Sequence, residues 1–352
     1  MAAADPTVGR EDSHCFNVPT LLYGDNGGYR MLKYMPKNGH FRIHLSWIIA
    51  IVLALSASAG HAQQDEQKRF SSPQEAFSTF TAAATTNDVT SMLAILGPKS
   101  KDLISSGDAI ADSNARRRFV ASVKDGVTFK SLDDNTVLVV TGKDECTFPI
   151  PIIKSGDKWV FATDEGRQEI LNRRIGKNEL STIEIALQYV EAQREYAKKD
   201  RDGSGILQYA QHFSSHEGKK DGLYWTAKPG EESSPLGPLF ESASKEGYRV
   251  GKHEGKHRPY HGYYFRILQS QGSHAEGGQL DYVVNGRMTA GFALLAYPAE
   301  YGVSGIMSFI VNQKGIVYEK NLGINTEKLA VDLRTYDPDD TWQKVPPTSP
   351  AH

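Results

Sequence analysis

The sequence has few cysteines and almost no net charge. Its 352 residues include two cysteines, and 40 Lys and Arg residues balance 42 Asp and Glu residues to a net charge of −2. A chain so close to neutral offers no strongly basic surface for nucleic acid and no polybasic patch for a membrane. Cys15 lies upstream of the one long apolar run, so removal of that run would leave Cys146 alone, and no internal disulfide is expected.

The chain also lacks two common nucleotide-binding signatures. It contains no G-x-x-x-x-G-K-[ST] loop and no G-x-G-x-x-G after a predicted strand. His253, His257 and His261 are spaced by four, which on one helix face would suit zinc, but Gly255 and Pro259 predict a loop there instead. These patterns favour a protein that binds a partner or ligand and catalyses nothing.

One stretch predicts export. Basic residues lie between positions 33 and 42, an apolar run covers residues 47–57, and small residues follow as far as Ala62. A basic lead, roughly 7–15 apolar residues and an A-x-A-like exit are typical of a secretory signal peptide. The run is shorter than the roughly 20 residues of a membrane span. We therefore expect cleavage near Ala59 or Ala62, a periplasmic or secreted bacterial protein without a membrane span, and a start at Met31 or Met35 rather than Met1.

The pattern predicts an α+β fold with two domains after this leader. The predicted divisions are a leader and signal peptide at 1–62, an N-terminal α+β domain at 66–165, a C-terminal helix-plus-sheet domain at 170–325 and a tail at 326–352. In the N-terminal domain, Ser72, Pro73 and Glu75 are typical of a helix start. Further helices are expected after Asp88 and from about Asp112, packed on one face of a curved antiparallel sheet with strands at 127–129, 136–140, 148–153 and 159–161.

The C-terminal domain is predicted to be a long helix packed on an antiparallel sheet. Residues 173–177 are interpreted as a hinge, and Asn178 as the cap of a helix that runs to about Lys199 with one apolar stripe. Strands are expected at 262–268, 292–297, 306–311 and 316–319, because aromatic and β-branched residues there are broken by Gly, Pro and Asn.

An acidic turn follows the predicted helix. Asp200, Asp202 and Ser204 take the first, third and fifth positions of a calcium loop, and Gly205 takes the sixth. Hard cations need several oxygen atoms on a tight turn, so these three residues are candidate calcium ligands. The twelfth position is Gln211, where a bidentate Glu is wanted, and a plain helix-ending turn is the alternative.

Aromatic residues concentrate just before the predicted sheet. Tyr260, His261, Tyr263 and Tyr264 form a candidate platform for a glycan or a peptide, because aromatic side chains with one polar end are common at interfaces. The alternative is a core role, since alternate members of such a run face inwards on a strand.

Several long motifs carry a family resemblance. The segments NRRIGKNEL, YVEAQREYAKKDRDG, PYHGYYFRIL and DYVVNGRMTAGFALLAYPAEYGVSG are similar to those of exported bacterial proteins that form domain-of-unknown-function family 2950. The resemblance covers about residues 70–342 and implies family and location, with no activity or catalytic residue. A fainter resemblance, carried by Gln193 and Tyr196 in an A-Q-x-x-Y segment before the sheet, is to type IV pilin-like head domains.

Three functions stay open at this point. The first is an exported, non-catalytic module of the cell envelope that binds an unidentified partner or ligand. The second is an envelope hydrolase in which His261 works with Asp281 or Glu300. The third is a pilin-like structural subunit that self-associates, although its internal amphipathic helix lacks the long apolar N-terminal helix with which pilins assemble.

Overall fold

The N-terminal half begins with helices whose starts are capped as the sequence predicts. The computed structural model describes residues 67–249 and 258–346, so the predicted leader, signal peptide and cleavage points lie outside the described residues. The Ser72 hydroxyl accepts the N–H of Glu75 at 3.1 Å, and the Asp88 carboxylate accepts that of Ser91 at 3.0 Å. The helices of this half are α1 (Pro73–Thr85), α2 (Val89–Leu96), α3 (Lys101–Ile104) and α4 (Ala109–Asp125).

These helices cover an antiparallel sheet. Its strands are β1 (Val127–Ser131), β2 (Thr136–Thr141), β3 (Cys146–Thr147), β4 (Ile152–Ser155) and β5 (Lys158–Phe161). Their order is β1-β2-β4-β5, with β3 beside β2. The core between helices and sheet holds the buried rings of Phe77, Phe80 and Phe161 together with Val139 and Ile152. The α+β class and the order of helices before strands are confirmed.

One long helix, α5 (Thr163–Tyr196), leads from this sheet into the C-terminal half. The predicted hinge at residues 173–177 is wrong, because the helix passes through it without a break. Arg173 pairs with Glu169 one turn earlier at 2.6 Å, and Arg174 donates to backbone carbonyls at the end of α3. Asn178 is not a cap. Its side chain is buried and donates to the carbonyl of Ser304 at 2.9 Å.

The C-terminal half is built on a five-stranded antiparallel sheet. The remaining elements are β6 (His212–Ser214), β7 (Gly222–Tyr224), α6 (Gly237–Lys245), β8 (Tyr263–Leu268), β9 (Ser270–Gln271), β10 (Leu280–Asp281), β11 (Val283–Val284), β12 (Arg287–Met288), β13 (Ala293–Pro298), β14 (Met307–Asn312), β15 (Tyr318–Asn321), α7 (Thr326–Asp332) and β16 (Gln343–Lys344). The main sheet has the order β16-β15-β14-β13-β8. The four predicted strands are present within one or two residues of their expected ends.

Two helices lie on opposite faces of this sheet. The hydroxyl of Tyr263 on β8 contacts the carboxylate of Glu179 on α5. Three residues further along, Arg266 donates to the carbonyls of Ala330 and Leu333 at the end of α7. Side chains three positions apart on a strand point to opposite faces. The predicted packing of α5 on the C-terminal sheet is therefore confirmed, and α7 covers the other face.

Residues 326–346 belong to the fold, so their assignment to a tail is wrong. Helix α7 packs on β13 with Ala330 fully buried, and β16 pairs with β15 through Glu319 and Gln343. Trp342 is also buried in the C-terminal core. The sequence pattern of this segment is weakly periodic because only a few of its side chains face the core.

Two further expectations concern cysteine and the membrane. Cys15, the other cysteine of the chain, lies outside the described residues, so its removal with a leader cleaved near Ala59 or Ala62 stays a prediction. Within residues 67–249 and 258–346, no helix combines the length and the apolar character that crossing a membrane requires.

Candidate functional site

The acidic turn after α5 wraps around one carboxylate. Asp200 accepts the backbone N–H groups of Gly203 at 3.0 Å and Gly205 at 2.7 Å. Both glycines have φ between +70° and +80°, a region that residues with a side chain adopt rarely. The turn therefore needs its glycines, and the carboxylate of Asp200 organises it from the inside.

The other two predicted calcium ligands lie in the same turn. Asp202 accepts the N–H of Ser204 at 3.1 Å and the side-chain amide of Gln208 at 2.8 Å. Hydrogen bonds from Ser204 hold the pKa of Asp202 at about 2, so this carboxylate is ionised at neutral pH. No set of three or more His, Cys, Asp or Glu side chains placed for a metal ion occurs in the described part of the chain. Calcium binding by this turn therefore stays a prediction.

The turn is anchored by its second residue, Arg201. The guanidinium lies 4.9 Å from the ring centre of Tyr196 and 5.0 Å from that of Trp225, and it pairs with Glu232 at 3.1 Å. Only 4% of the Arg201 side chain is exposed. Cation–π contacts of a desolvated guanidinium are stronger than those at the surface. This contact attaches the acidic turn rigidly to the C-terminal core.

The four predicted aromatic ligand contacts separate into two groups. Tyr263 is fully buried and donates to the carbonyl of Met307 at 2.9 Å, which is the core role. Tyr264 is half-buried on β8, with its ring 5.4 Å from that of Tyr297. Tyr260 and His261 lie before the strand and stack on each other, with ring centroids 4.2 Å apart and planes at 29°. The candidate platform for a glycan or peptide therefore keeps only Tyr260 and His261.

A tight turn presents these two rings. Tyr260 and Tyr263 exchange backbone hydrogen bonds of 2.8 and 3.1 Å, which leaves His261 and Gly262 as the two central residues. Their φ angles are +49° and +78°. Two-residue hairpin turns with positive φ at both positions usually take Asn or Asp first and Gly second. A histidine in this conformation is uncommon, and such positions are enriched at functional sites.

The histidine has an acidic partner that the sequence did not reveal. Nε2 of His261 lies 2.7 Å from Oε2 of Glu246, at the end of α6. About 25% of the His261 side chain and 33% of the Glu246 side chain are exposed, so both face a half-open surface. The carboxylate that His261 contacts is thus neither Asp281 nor Glu300, which the sequence suggested.

The turn is also fixed from beneath by a buried carboxylate. Asp108 is 2% exposed. One of its oxygens accepts the N–H groups of Ile110 and Ala111 and so caps α4. The other accepts the hydroxyl of Tyr248 at 2.9 Å and the N–H of Gly262 at 3.0 Å. Asp108 therefore joins the N-terminal helices to the turn that carries His261.

Tyr248 completes the aromatic cluster. Its ring meets that of Tyr260 edge to face at 4.8 Å. Burial, and then the charge of Asp108, raise the pKa of Tyr248, while burial and then Glu246 raise that of Tyr260. Both hydroxyls therefore stay protonated at neutral pH. The resulting candidate site is a half-open surface of Glu246, Tyr248, Tyr260 and His261, called the Tyr260–His261 site below.

Sequence reasoning missed Glu246, Tyr248 and Asp108. The third helix was expected from about Asp112, although Asp108 stands four residues earlier in a capping position that could have indicated its start. Glu246 and Tyr248 carry no local signal, since they reach the site only through the position of α6.

A short motif that the sequence also contains lies outside the described residues. Residues 253–257 read His-Glu-Gly-Lys-His, which has the H-E-x-x-H spacing of a helical zinc site. His261 lies in a turn with positive φ, so it is not helical.

Comparison with known proteins gives a family and no activity. The family model described as "Protein of unknown function (DUF2950)" matches residues 67–345, which is most of the chain. No curated protein and no solved structure matches it. A functional assignment therefore depends on the geometry of the chain itself.

Proposed function

Given that the chain belongs to the DUF2950 family of proteins of unknown function, we propose a function from its geometry. The protein is a non-catalytic binding module of the bacterial cell envelope, and it recognises a glycan with the Tyr260–His261 site. The observation that carries this proposal is the stack of Tyr260 on His261, held at 4.2 Å in a turn with positive φ.

The chemistry of the surface suits a sugar. Stacked aromatic rings offer a flat apolar face, and tyrosine and histidine combine such a face with a polar edge. Glu246, one third exposed, offers carboxylate oxygens that can accept hydroxyl hydrogen bonds at the rim. The hydrogen bonds from Tyr248 and Gly262 to Asp108 hold the surface in place before any ligand arrives, and such preorganisation lowers the entropy lost on binding.

A titration of the exported chain with an N-acetylglucosamine trisaccharide tests the proposal. We expect saturable binding that Tyr260→Ala weakens by about tenfold, the loss of a stacked ring. Tyr318→Ala, on β15 and three strands away from β8, is the matched control and should bind as the unchanged chain does. Equal loss in both variants, or saturable binding of an aromatic peptide but not of the sugar, would refute the glycan assignment.

Export itself is part of the proposal and is supported by the sequence of residues 33–62 alone. Mass spectrometry of the protein recovered from outside the bacterial cytoplasm should give an N-terminus directly after Ala59 or Ala62. Recovery of the chain from the cytoplasm with Met31 or Met35 at its N-terminus would overturn it.

An envelope hydrolase is the second candidate. It is supported by the 2.7 Å contact between His261 and Glu246, an arrangement in which a carboxylate orients a histidine that moves a proton. The H-E-x-x-H motif at residues 253–257 would allow this hydrolase to be metal-dependent. Turnover of envelope polymers that is lost in His261→Gln would favour this candidate, and chelator sensitivity would identify the metal-dependent form.

The pilin-like assignment also remains a proposal. Its support is the order of a long helix, α5, before an antiparallel sheet. Sedimentation at high protein concentration tests self-association, and a purely monomeric protein would count against a structural subunit.

A further inference from the structure

A groove lies at the edge of the C-terminal sheet, away from the Tyr260–His261 site. It has a volume of about 390 Å³ and is lined by the chain from Arg266 to Ser270 together with Asp281, Val283 and Arg334. This volume falls within the range of small-molecule and short-peptide pockets. One wall of the groove is the chain from the end of β8 into β9. The other walls are β10 with the start of β11, and the segment that follows α7.

The backbone of β8 presents unused hydrogen-bonding groups at this edge. The carbonyl of Gly262 accepts the N–H of Ala299, on the side of β13, and backbone groups alternate in direction along a strand. Phe265 and Ile267 therefore face away from β13. Among the described residues, none hydrogen-bonds to the outward N–H and C=O groups of these two residues.

Two positive charges lie beside this edge. Arg266 donates its terminal nitrogens to the carbonyls of Ala330, Val331 and Leu333, but its buried Nε has no hydrogen-bond partner in the described part of the chain. Burial lowers the pKa of Arg266, and the charge of Arg334 lowers it further. The two guanidinium groups are therefore close enough to repel each other.

Arg334 itself has an exposed side chain, and no ion pair or hydrogen bond of that side chain exists within the described residues. Asp281 is the one carboxylate among the lining residues and is also exposed. With two guanidinium groups and one carboxylate, the groove carries a net charge of +1. Such a surface is complementary to a single anionic group with a hydrogen-bond donor beside it.

We propose that this groove binds the C-terminal end of an extended peptide, which pairs with the outward edge of Phe265 and Ile267 and places its carboxylate at Arg334, with the charge of Arg266 nearby. Addition of a strand to an exposed sheet edge is a common mode of peptide recognition, in which main-chain bonds supply affinity. Arginine suits a carboxylate because its planar group can donate two parallel hydrogen bonds. Beyond the binding stretch, the N–H of Tyr282 already occupies the carbonyl of Gln269, so the added strand ends there.

Changes to the peptide alone can test whether its C-terminal carboxylate contributes to binding. The full exported chain is titrated calorimetrically with the peptide acetyl-Val-Ala-Val, first with a free C-terminal carboxylate and then as its C-terminal amide. We expect the amide to bind at least about tenfold more weakly, the loss of one charge-assisted contact. A third peptide, N-methylated at its central amide, should also bind more weakly because it cannot pair fully with the strand edge.

Protein variants locate the site. Arg334→Gln should remove the preference for carboxylate over amide, whereas Lys344→Gln on the opposite edge strand, β16, changes the net charge equally and should keep it. Tyr318→Ala, on β15 and three strands away from β8, should leave peptide binding unchanged. The proposal would be overturned if the carboxylate and the amide bound equally well, or if no saturable binding occurred at millimolar peptide. A dimer that pairs two copies of the chain through β8 would also overturn it.

Discussion

The carboxylate of Asp108 accepts the hydroxyl of Tyr248 at 2.9 Å, although 140 positions separate the two residues in the chain. The same carboxylate oxygen accepts the N–H of Gly262. One buried acidic group therefore caps a helix of the N-terminal half and holds the turn of the candidate site in the C-terminal half. The stability of the fold and the shape of the site depend on the same residue.

We expect Asp108→Ala to lower the free energy of unfolding by about 3 kcal/mol, since it removes a helix cap and leaves buried N–H and O–H donors without a partner. Tyr248→Phe removes only one of these donors and should cost about 1 kcal/mol. Urea unfolding of the two variants measures both values. Equal losses in the two variants would contradict a central role for Asp108.

Two glycines with nearly the same backbone angle provide a matched pair. Gly262 and Gly302 have φ of +78° and +76°. A Cβ at Gly262 would lie 2.5 Å from Nδ2 of Asn178 and 3.1 Å from Cβ of Ser304, whereas at Gly302 nothing lies within 4 Å. Gly302→Ala should therefore cost only the left-handed backbone penalty of about 1–2 kcal/mol.

Gly262→Ala should cost at least about 1 kcal/mol more, because the buried Asn178 must shift from its hydrogen bond to the carbonyl of Ser304. Thermal and urea denaturation of both variants give the difference directly. If both substitutions proved equally tolerated, the close packing of the turn against α5 would be wrong.

Glu179 predicts a pH dependence of stability. Its carboxylate accepts the N–H groups of Ile306 and Met307, both at 2.9 Å, but burial outweighs these bonds and raises its pKa. The folded state then holds a proton at pH values where the unfolded chain has released it. The free energy of unfolding consequently falls as pH rises from the ordinary glutamate pKa through the raised one.

Glu179→Gln keeps an oxygen acceptor for both N–H groups and removes the titration. We expect its stability relative to the unchanged protein to improve steadily as pH rises from about 4 toward 7. Glu184→Gln, an exposed position on the same helix, is the matched control for the change from Glu to Gln. Parallel curves for all three proteins, measured by urea unfolding across this range, would refute the raised pKa.

The acidic turn offers a direct test of the calcium prediction. A ligand that binds only the folded state raises stability by mass action, by roughly 2.7 kcal/mol at a hundredfold excess over its dissociation constant. We expect calcium to raise the melting temperature of the chain, chelator to reverse the rise, and Asp202→Ala to abolish it. An unchanged melting temperature would leave Asp200, Asp202 and Ser204 as a turn closed by its own hydrogen bonds.

Much of the architecture could be predicted because its signals are local. Ser72 and Asp88 cap helices through side chains that reach only three residues along the chain. The strands β8, β13 and β14 lie in runs of apolar and aromatic residues broken by Gly, Pro and Asn, a pattern that is visible in consecutive residues. The hinge at residues 173–177 was wrong for the opposite reason. Gly176 weakens a helix locally, but contacts of Arg174 with α3 keep α5 continuous there.

The candidate site shows the same division. The sequence alone predicted Tyr260, His261 and the acidic turn as candidates, since aromatic clustering and the Asp-x-Asp-Gly-Ser-Gly pattern are visible in consecutive residues. Tertiary structure decided that Tyr263 is core, that Glu246 is the partner of His261 and that Asp108 supports both halves. Glu246, Tyr248 and Asp108 lie 15, 13 and 154 positions from the residues of the turn they contact, and no periodicity or spacing records a contact that only the packing of separate elements creates.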